Sequence, residues 1–464
     1  MGTGRGIGLR LTVVLLALPF AAPLAYLAVR TWDEGRAWEI LGDEALLGPL
    51  GRSLLLATSV ALAASAAGTL AAWIVMRTDL PGRRALRLAL PLPLVLPSFI
   101  GAFALIAAFA RGGLVERILE PLGISGVLTV DGFAGAFTVL TLLTYPYVYL
   151  PVAARLRALP AAAEESARLL GRGPLATFAT VVLPQARAAI AAGGLLVFLY
   201  VLADFGAVQL LRYDTLTRAI YANRLIDPAV AATLSLALGL LAILVVLGQR
   251  ALAPSALDGR RGGRPLVVPL GRWRAAAYAY LAMLLGLALA APLAVLGYWA
   301  SRGGSDRPTS LVANPERLVE PAVNTSIASG AAALVAVLMV LPVAYLSMRH
   351  RTRLGGAADA LITGGFALPG IVVALALAFW TLNSPGAVGA LYQTLPLLVG
   401  AYALHFGALA LGPAQVAVTS VPARLDDAAR TLGRGRVSRL VTVELPLMAP
   451  GLAAAAGLVL LSAM

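Results

Sequence analysis

The sequence contains no cysteine and no lysine. The first absence excludes disulfides, thiolate metal sites and cysteine nucleophiles, and leaves the redox compartment undetermined. The second excludes the standard nucleotide-cradling loop Gly-x-x-x-x-Gly-Lys-Ser/Thr, so any ATP hydrolysis belongs to a partner. Charge is scarce as well: 12% of the 464 residues are charged and 60% are hydrophobic, whereas an ordinary globular domain is about 25% charged and about 45 to 50% apolar. A soluble domain is thereby excluded. The net charge of +14 does not indicate a nucleic-acid binder, because the polar surface such a protein needs is missing.

What the chain has instead is long uncharged runs, at 11–29, 54–76, 88–110, 132–154, 228–249, 275–301 and 322–348. Each meets the roughly 20 residues that a helix needs to cross a bilayer. Residues 360–423 are also uncharged and too long for one crossing; Asn383-Ser384-Pro385-Gly386 marks a turn that divides them in two. One more span begins near Ala188, and a last one starts at Leu447. The expected fold is therefore an all-α polytopic transmembrane helical bundle with about eleven spans.

The first run is too long for a secretory signal. Its Ala21-Ala22-Pro23-Leu24-Ala25 also returns mid-chain as Ala290-Ala291-Pro292-Leu293-Ala294, where no signal can act. With a cytoplasmic amino terminus, the inner segments hold 25 of the 36 arginines. Positive charge accumulates in cytoplasmic loops, so this orientation is expected.

The chain repeats itself. Met76-Arg77 returns as Met348-Arg349 and Pro97 as Pro369, 272 residues on. Pro151 and Pro413, Pro160 and Pro422, Gly171-Arg172-Gly173 and Gly433-Arg434-Gly435, and Leu183-Pro184 and Leu445-Pro446 are 262 apart. The expected organisation is two parallel six-helix repeats: a first half at 1–253, a cytoplasmic linker at 254–274, and a second half at 275–464. Parallel repeats imply a pseudo-two-fold axis along the membrane normal. Met464 corresponds to Leu202, so the second repeat is expected to be incomplete at its C-terminus and the 464 residues to be a truncated form of a twelve-span protein. A native mass of 47.7 kDa would refute that.

Between the fourth and fifth spans of each repeat lies a polar, Ala-rich loop. The first reads Glu165-Ser166-Ala167, then Gly171, then Val181-Val182-Leu183-Pro184; the second reads Asp427-Ala428-Ala429, then Gly433, then Val443-Glu444-Leu445-Pro446. Glycine accepts a left-handed conformation at a helix end, so each loop is expected to be a short helix, a turn at Gly171 or Gly433, and re-entry into the membrane at Leu-Pro.

These loops resemble the signature of the inner-membrane permease subunits of binding-protein-dependent ABC importers: Glu-Ala-Ala, three residues, Gly, nine residues, Ile-x-Leu-Pro. Ser166 replaces the first Ala, Asp427 replaces Glu, and valine stands for isoleucine in both copies. The resemblance covers nearly the whole chain. It implies that each loop is a coupling helix docking on an ATPase, with Glu165 and Asp427 meeting polar groups there. The plainer alternative is that these acids only complement their own helix dipole, worth about 0.3–1 kcal/mol. It also implies a pair of cytosolic ATP-binding subunits, an extracytoplasmic substrate-binding protein, alternating access, no cofactor, and no covalent chemistry in this subunit. The location implied is a bacterial inner membrane.

Ala203-Asp204-Phe205-Gly206 and Arg212-Tyr213-Asp214-Thr215 resemble the corresponding region of the ferric iron permeases in that family, which puts ferric iron ahead of thiamine, phosphonate or another small solute as cargo. Asp204 is expected inside the fifth helix; it is either part of the translocation path, as an ionisable group at membrane depth suggests, or it hydrogen-bonds a neighbouring helix or sits near the outer interface. Tyr145, Tyr147 and Tyr149 read as structural, since tyrosine near a helix end is more often an interfacial anchor than a ligand; Pro93, Pro97 and Pro369 read as interruptions of the third and ninth helices, and His405 as a packing residue. No His and carboxylate cluster suggests a metal site. Two other functions are weighed: an ATP-independent secondary transporter with parallel repeats, which would have no reason to keep both loop motifs, and a membrane-embedded transferase whose Asp426-Asp427 would hold magnesium and diphosphate. Arg430 stands where the latter would want another acid.

Overall fold

The computed structural model describes residues 3–33, 35, 39–40, 42, 44–120, 130–158, 161–252, 267–302, 315–349, 352–366, 368–422, 425, 429, 431–433 and 435–464. In lipid every backbone amide and carbonyl must bond within its own segment, so apolar runs become helices. In chain order the principal ones are α1 (Thr3–Asp33), α2 (Glu44–Arg77), α3 (Arg83–Ala89), α4 (Ser98–Phe109), α5 (Gly132–Ala158), α6 (Ala161–Leu169), α7 (Leu183–Ala203), α8 (Gly206–Leu210) and α9 (Leu216–Asn223). They continue with α10 (Pro228–Leu252), α11 (Arg274–Leu285), α12 (Ala291–Arg302), α13 (Val319–Met348), α14 (Arg353–Phe366), α15 (Gly370–Leu382), α16 (Leu395–Ser420) and α17 (Leu445–Ala463). Among the described residues there is no named strand, and Thr78 and Val268 form an isolated parallel bridge. Ten helical segments are long and apolar enough to cross a membrane, and the bent pair α14–α15 raises the number to eleven. The chain is thus an all-α, multi-pass membrane protein.

Prolines shape these spans at repeated positions. Pro97 and Pro369 immediately precede α4 and α15 with nearly identical backbone angles, φ −58° and ψ 145° against φ −56° and ψ 142°. Pro184, Pro292 and Pro446 each follow a five-residue π-helical turn, at Phe178–Val182, Gly286–Ala290 and Leu440–Glu444. A proline ring clashes with the carbonyl four residues earlier. In all three cases that residue (Thr180, Ala288, Thr442) lies inside the wide turn, where the helix has room for it.

Two compact units emerge, and neither coincides with a linear half: α1 and residues 223–243, which take in most of α10, group with the second-half helices, and residues 244–312, with α11 and α12, group with the first-half ones. One unit comprises residues 1–40, 223–243 and 313–464, and the other 41–222 and 244–312. In the former, Val13, Ala17 and Phe20 of α1 share a core with Val340 and Val343 of α13, Ile362 of α14 and Ala414 of α16. In the latter, Leu281 and Leu284 of α11 join the core built by α2, α5 and α7. Tyr280 there donates its hydroxyl to the Ala67 carbonyl at 2.8 Å, and Trp299 its indole N–H to the Ala107 carbonyl at 3.1 Å.

The three central helices of this second unit approach closely at glycine. A Cβ on Gly68 of α2 would lie 2.7 Å from the Tyr145 carbonyl oxygen, and one on Gly193 of α7 would lie 2.7 Å from Val148 Cα. Both glycines pack against the same stretch of α5, as small residues do where membrane helices meet. Two of the three α5 tyrosines lie inside the protein, where an interfacial anchor would be exposed, and Tyr147 is half-buried. Tyr145 and Tyr149 are buried, and Tyr145 donates its hydroxyl to the Leu90 carbonyl at 2.8 Å. The reason lies in the broken third span: Pro93 and Pro97 interrupt it and free carbonyls that a buried hydroxyl can satisfy. His405 packs as expected, its ring 4.7 Å from that of Phe406.

Candidate functional site

The loop between the fourth and fifth spans is built from local conformational demands. Helix α6 ends at Gly171, whose φ of +79° is left-handed. The Gly171 N–H bonds the Arg168 carbonyl at 2.9 Å and the Arg172 N–H the Ala167 carbonyl at 3.1 Å, the paired bonds of a glycine-closed helix end. A new turn starts with Thr177 N–H on the Gly173 carbonyl at 2.9 Å, the π turn follows, and Leu183-Pro184 opens α7.

The second loop repeats the left-handed glycine, the new turn and the re-entry. Gly433 has φ +76°, Arg439 N–H bonds the Gly435 carbonyl at 2.9 Å, and the π turn at Leu440–Glu444 leads into Leu445-Pro446 and α17. Thr180 and Thr442 bond the carbonyls of Ala176 and Ser438, each at 2.7 Å. Leu170 and Leu432, 262 residues apart, are 81% and 79% exposed. Ala429 is buried, as is Ala167. Asp427 and Ala428 lie outside the described residues, as do Asp426 and Pro160.

Helix α6 has two faces. Glu165, Ser166, Leu169 and Leu170 are exposed, while Glu164 and Ala167 point inward. The buried acid is therefore the neighbour of the motif residue. Glu164, 4% exposed, places Oε1 at 2.9 Å from Nη2 of Arg77, the last residue of α2, whose side chain is fully buried. Burial pushes the Glu164 carboxyl above its ordinary range, and Arg77 pulls in the opposite direction. Removing one partner of a buried pair costs about 3–5 kcal/mol, because the other charge is stranded. Neither residue was singled out as a site from sequence, although Met76-Arg77 and Met348-Arg349 were repeat landmarks. Arg349 also acts at its loop: Nη1 donates to the Val421 carbonyl at 3.0 Å, just past the end of α16.

Asp204 is not inside the fifth helix as expected, because α7 stops at Ala203 and Asp204 is extended, with φ −65° and ψ 130°. Its Oδ1 accepts the Ala207 N–H at 3.0 Å and its carboxylate also accepts from Ser98. Thr217 donates to its backbone carbonyl at 2.7 Å. A short polar side chain that bonds its own backbone three residues on favours a chain break over a continued helix. With α7 21 residues long, Asp204 stands about 30 Å from Leu183, so the structure does not bring it together with the loop residues. Between them, α2 and α7 border an open cavity of about 430 Å³ whose polar lining is Thr58, Ser65 and Arg187. Among the described residues no three His, Asp or Glu side chains gather as a metal site.

Comparison with known proteins accords with this repeated geometry. The family model described as "Binding-protein-dependent transport system inner membrane component" matches residues 64–257 and 333–464. The Fe(3+)-transport system permease protein FbpB 2 of Haemophilus influenzae is 29% identical over 98% of this chain and 87% of its own length. The molybdenum transport system permease protein ModB of Mycobacterium bovis is 34% identical over 52% of this chain and 92% of its own. The sulfate transport system permease protein CysT of Escherichia coli is 30% identical over 44% and 72%. The two matched blocks take in both glycine-closed loops, and this protein belongs to the family of binding-protein-dependent transport system inner membrane components, membrane permeases and not enzymes.

Proposed function

We propose that the chain forms the translocation path of an ABC importer and couples ATP hydrolysis by two cytosolic ATP-binding subunits to uptake of a small solute, with ferric iron as the leading cargo. An extracytoplasmic binding protein delivers the cargo. The observation that carries this reading is the recurrence, 262 residues apart, of one surface device: a glycine-closed turn, a π turn and Leu-Pro re-entry into a span. A solute carrier without an external motor has no use for two such levers.

On this reading Glu165, Ser166, Ala167, Gly171, Leu183 and Pro184 form the first coupling loop, and Asp427, Ala428, Ala429, Gly433, Leu445 and Pro446 the second. Both loops face the cytoplasm, as does the amino terminus, which accords with the placement of 25 of the 36 arginines. Exposed Leu170 and Leu432 supply apolar contact with the motor subunits. The cavity beside Arg187 borders the path, since an ionisable group within a span faces a protein interior or a water-filled space. Asp204, at the far end of α7, borders it on the outer side.

The iron assignment draws on the relative from Haemophilus influenzae, which matches nearly the full chain. Its test is reconstitution of the permease with its ATP-binding subunits and binding protein in proteoliposomes. ATP-dependent uptake of ferric iron, with molybdate and sulfate excluded, is the expected result. Uptake without the ATP-binding subunits would make the protein a secondary transporter, and uptake of an oxyanion instead would reassign the cargo.

A further inference from the structure

What makes a nine-residue helix move a span rather than roll in place? Apolar contact alone is weakly directional, and among residues 164–170 the buried apolar side chain is a single alanine, Ala167. Glu164 and Ala167 are the inward-facing residues among 164–170. The specific attachment is the ion pair, with Glu164 Oε1 at 2.9 Å from Arg77 Nη2. Arg77 Nε, Nη1 and Nη2 and Glu164 Oε1 are buried with no hydrogen bond among the described residues, so the contact is one of charge and this guanidinium depends on Glu164 for its countercharge.

Arg77 is also the end of a stiff transmitter. It closes the 34-residue α2, whose Gly68 lies against the backbone of Tyr145 and Tyr149. Its own carbonyl accepts the Val268 N–H at 2.8 Å. The end of α2 is therefore held on its backbone while its side chain reaches α6. The corresponding Arg349, 272 residues on, ends α13 and bonds the Val421 carbonyl at 3.0 Å, at the entrance to the second loop. An arginine that ends the second span of a repeat thus meets the loop region twice, through a side chain in one copy and a carbonyl in the other.

We propose that Arg77 and Glu164 are positioning residues for energy transfer: their buried pair locks α6 to the end of α2, so that a push on the exposed face of α6 is delivered to the span and through it to α5. This rests on the coupling function proposed above. The pair acts through the helix it holds and touches neither cargo nor ATP. Loss of the pair lets the motor turn over without moving the path.

The experiment uses the complete complex in proteoliposomes, with ferric iron, molybdate and sulfate as probes and three readouts: co-purification of the ATP-binding subunits, ATP hydrolysis, and cargo moved per ATP. Glu164→Gln and Arg77→Gln are expected to retain the subunits and hydrolyse ATP within about twofold of wild type, while cargo per ATP falls at least tenfold. The reversed pair, Arg77→Glu with Glu164→Arg, is expected to regain at least a third of the lost ratio. An unchanged ratio in the single variants, or a reversed pair that recovers nothing, overturns the proposal. If the single variants fail to fold, the reversed pair decides alone by the same criterion. Leu170→Asp on the exposed face tests docking separately and should release the ATP-binding subunits. Release by Leu170→Asp together with full coupling in Glu164→Gln removes the latch alone. Retention of the subunits by Leu170→Asp, or a wild-type complex that moves none of the three probes, removes the coupling reading and the latch with it.

Discussion

Gly171 and Gly433 hold the same left-handed backbone, φ +79° and +76°, at equivalent points of two loops 262 residues apart. A side chain at either would meet nothing within 4 Å, so the demand for glycine there is conformational and not steric. The left-handed region costs other residues roughly 1–2 kcal/mol, and asparagine less than most. Gly171→Ala is expected to destabilise the loop by about that amount and Gly171→Asn by less. Gly173→Ala is the control, since Gly173 has no left-handed φ. Amide exchange at Arg172, whose N–H closes the turn, measures the effect; equal exchange in the Gly171 and Gly173 alanine variants would contradict it.

Tyr145 and Tyr149 are both buried on α5, but they differ in hydrogen bonding. The Tyr145 hydroxyl satisfies the Leu90 carbonyl at 2.8 Å, whereas that of Tyr149 has no partner among the described residues. Removing one member of a buried hydrogen bond costs about 1–3 kcal/mol. Tyr145→Phe is therefore expected to lower the thermal unfolding midpoint of the purified permease clearly, and Tyr149→Phe to leave it nearly unchanged. The reverse order would place the broken third span under some other restraint.

The spans and the two loops were legible in the sequence because they rest on local requirements. Uncharged runs must be helices in lipid, and Gly171, Gly433, Pro184 and Pro446 each impose a backbone conformation on their own neighbourhood. The Arg77–Glu164 pair was not legible, since it joins residues far apart in sequence and the motif drew attention to Glu165, one position away. Tyr145 was legible as structural but not by location: the same aromatic residue suits an interface or a buried carbonyl, and only tertiary placement decides. The grouping of α1 and α11 with helices of the opposite half was hidden because a helix that is apolar all round carries no record of which neighbours it meets. Asp204 was found, but its position at a helix end depends on bonds to Ser98 and Ala207 that periodicity does not reveal.

Asp204 can act through its cap or through its charge, and two substitutions separate the roles. Asparagine keeps an oxygen that can accept the Ala207 N–H, now held at 3.0 Å, while alanine removes it. Loss of a capping acceptor costs about 0.5–2 kcal/mol. If the carboxylate serves only the chain break, Asp204→Asn retains uptake and stability, and Asp204→Ala lowers the unfolding midpoint. If the charge borders the path, Asp204→Asn lowers uptake at unchanged midpoint. Uptake and thermal unfolding measured on the same preparations distinguish these outcomes.

Asp79 provides a pH-dependent clamp where residues 267–270 meet the end of α2. Its Oδ1 accepts the Leu270 N–H at 2.9 Å, and its carboxylate pairs with Arg274. First the Leu270 bond and then Arg274 hold the carboxyl below its usual range. A carboxylate whose pKa is depressed in the folded state contributes stability above its unfolded pKa, near ~3.9, and that stability is lost as pH falls through the folded value. Asp79→Asn keeps an acceptor for Leu270 but not the charge. The wild-type advantage over Asp79→Asn is therefore expected to be constant near neutrality, to shrink below about pH 4, and to weaken in high salt because the site is exposed. Amide exchange at Val268, which bonds the Arg77 carbonyl beside this clamp, follows the opening directly. An advantage that survives undiminished in acid would mean that the carboxylate charge does not hold the clamp, and that the Thr78–Val268 bridge stands on backbone pairing alone.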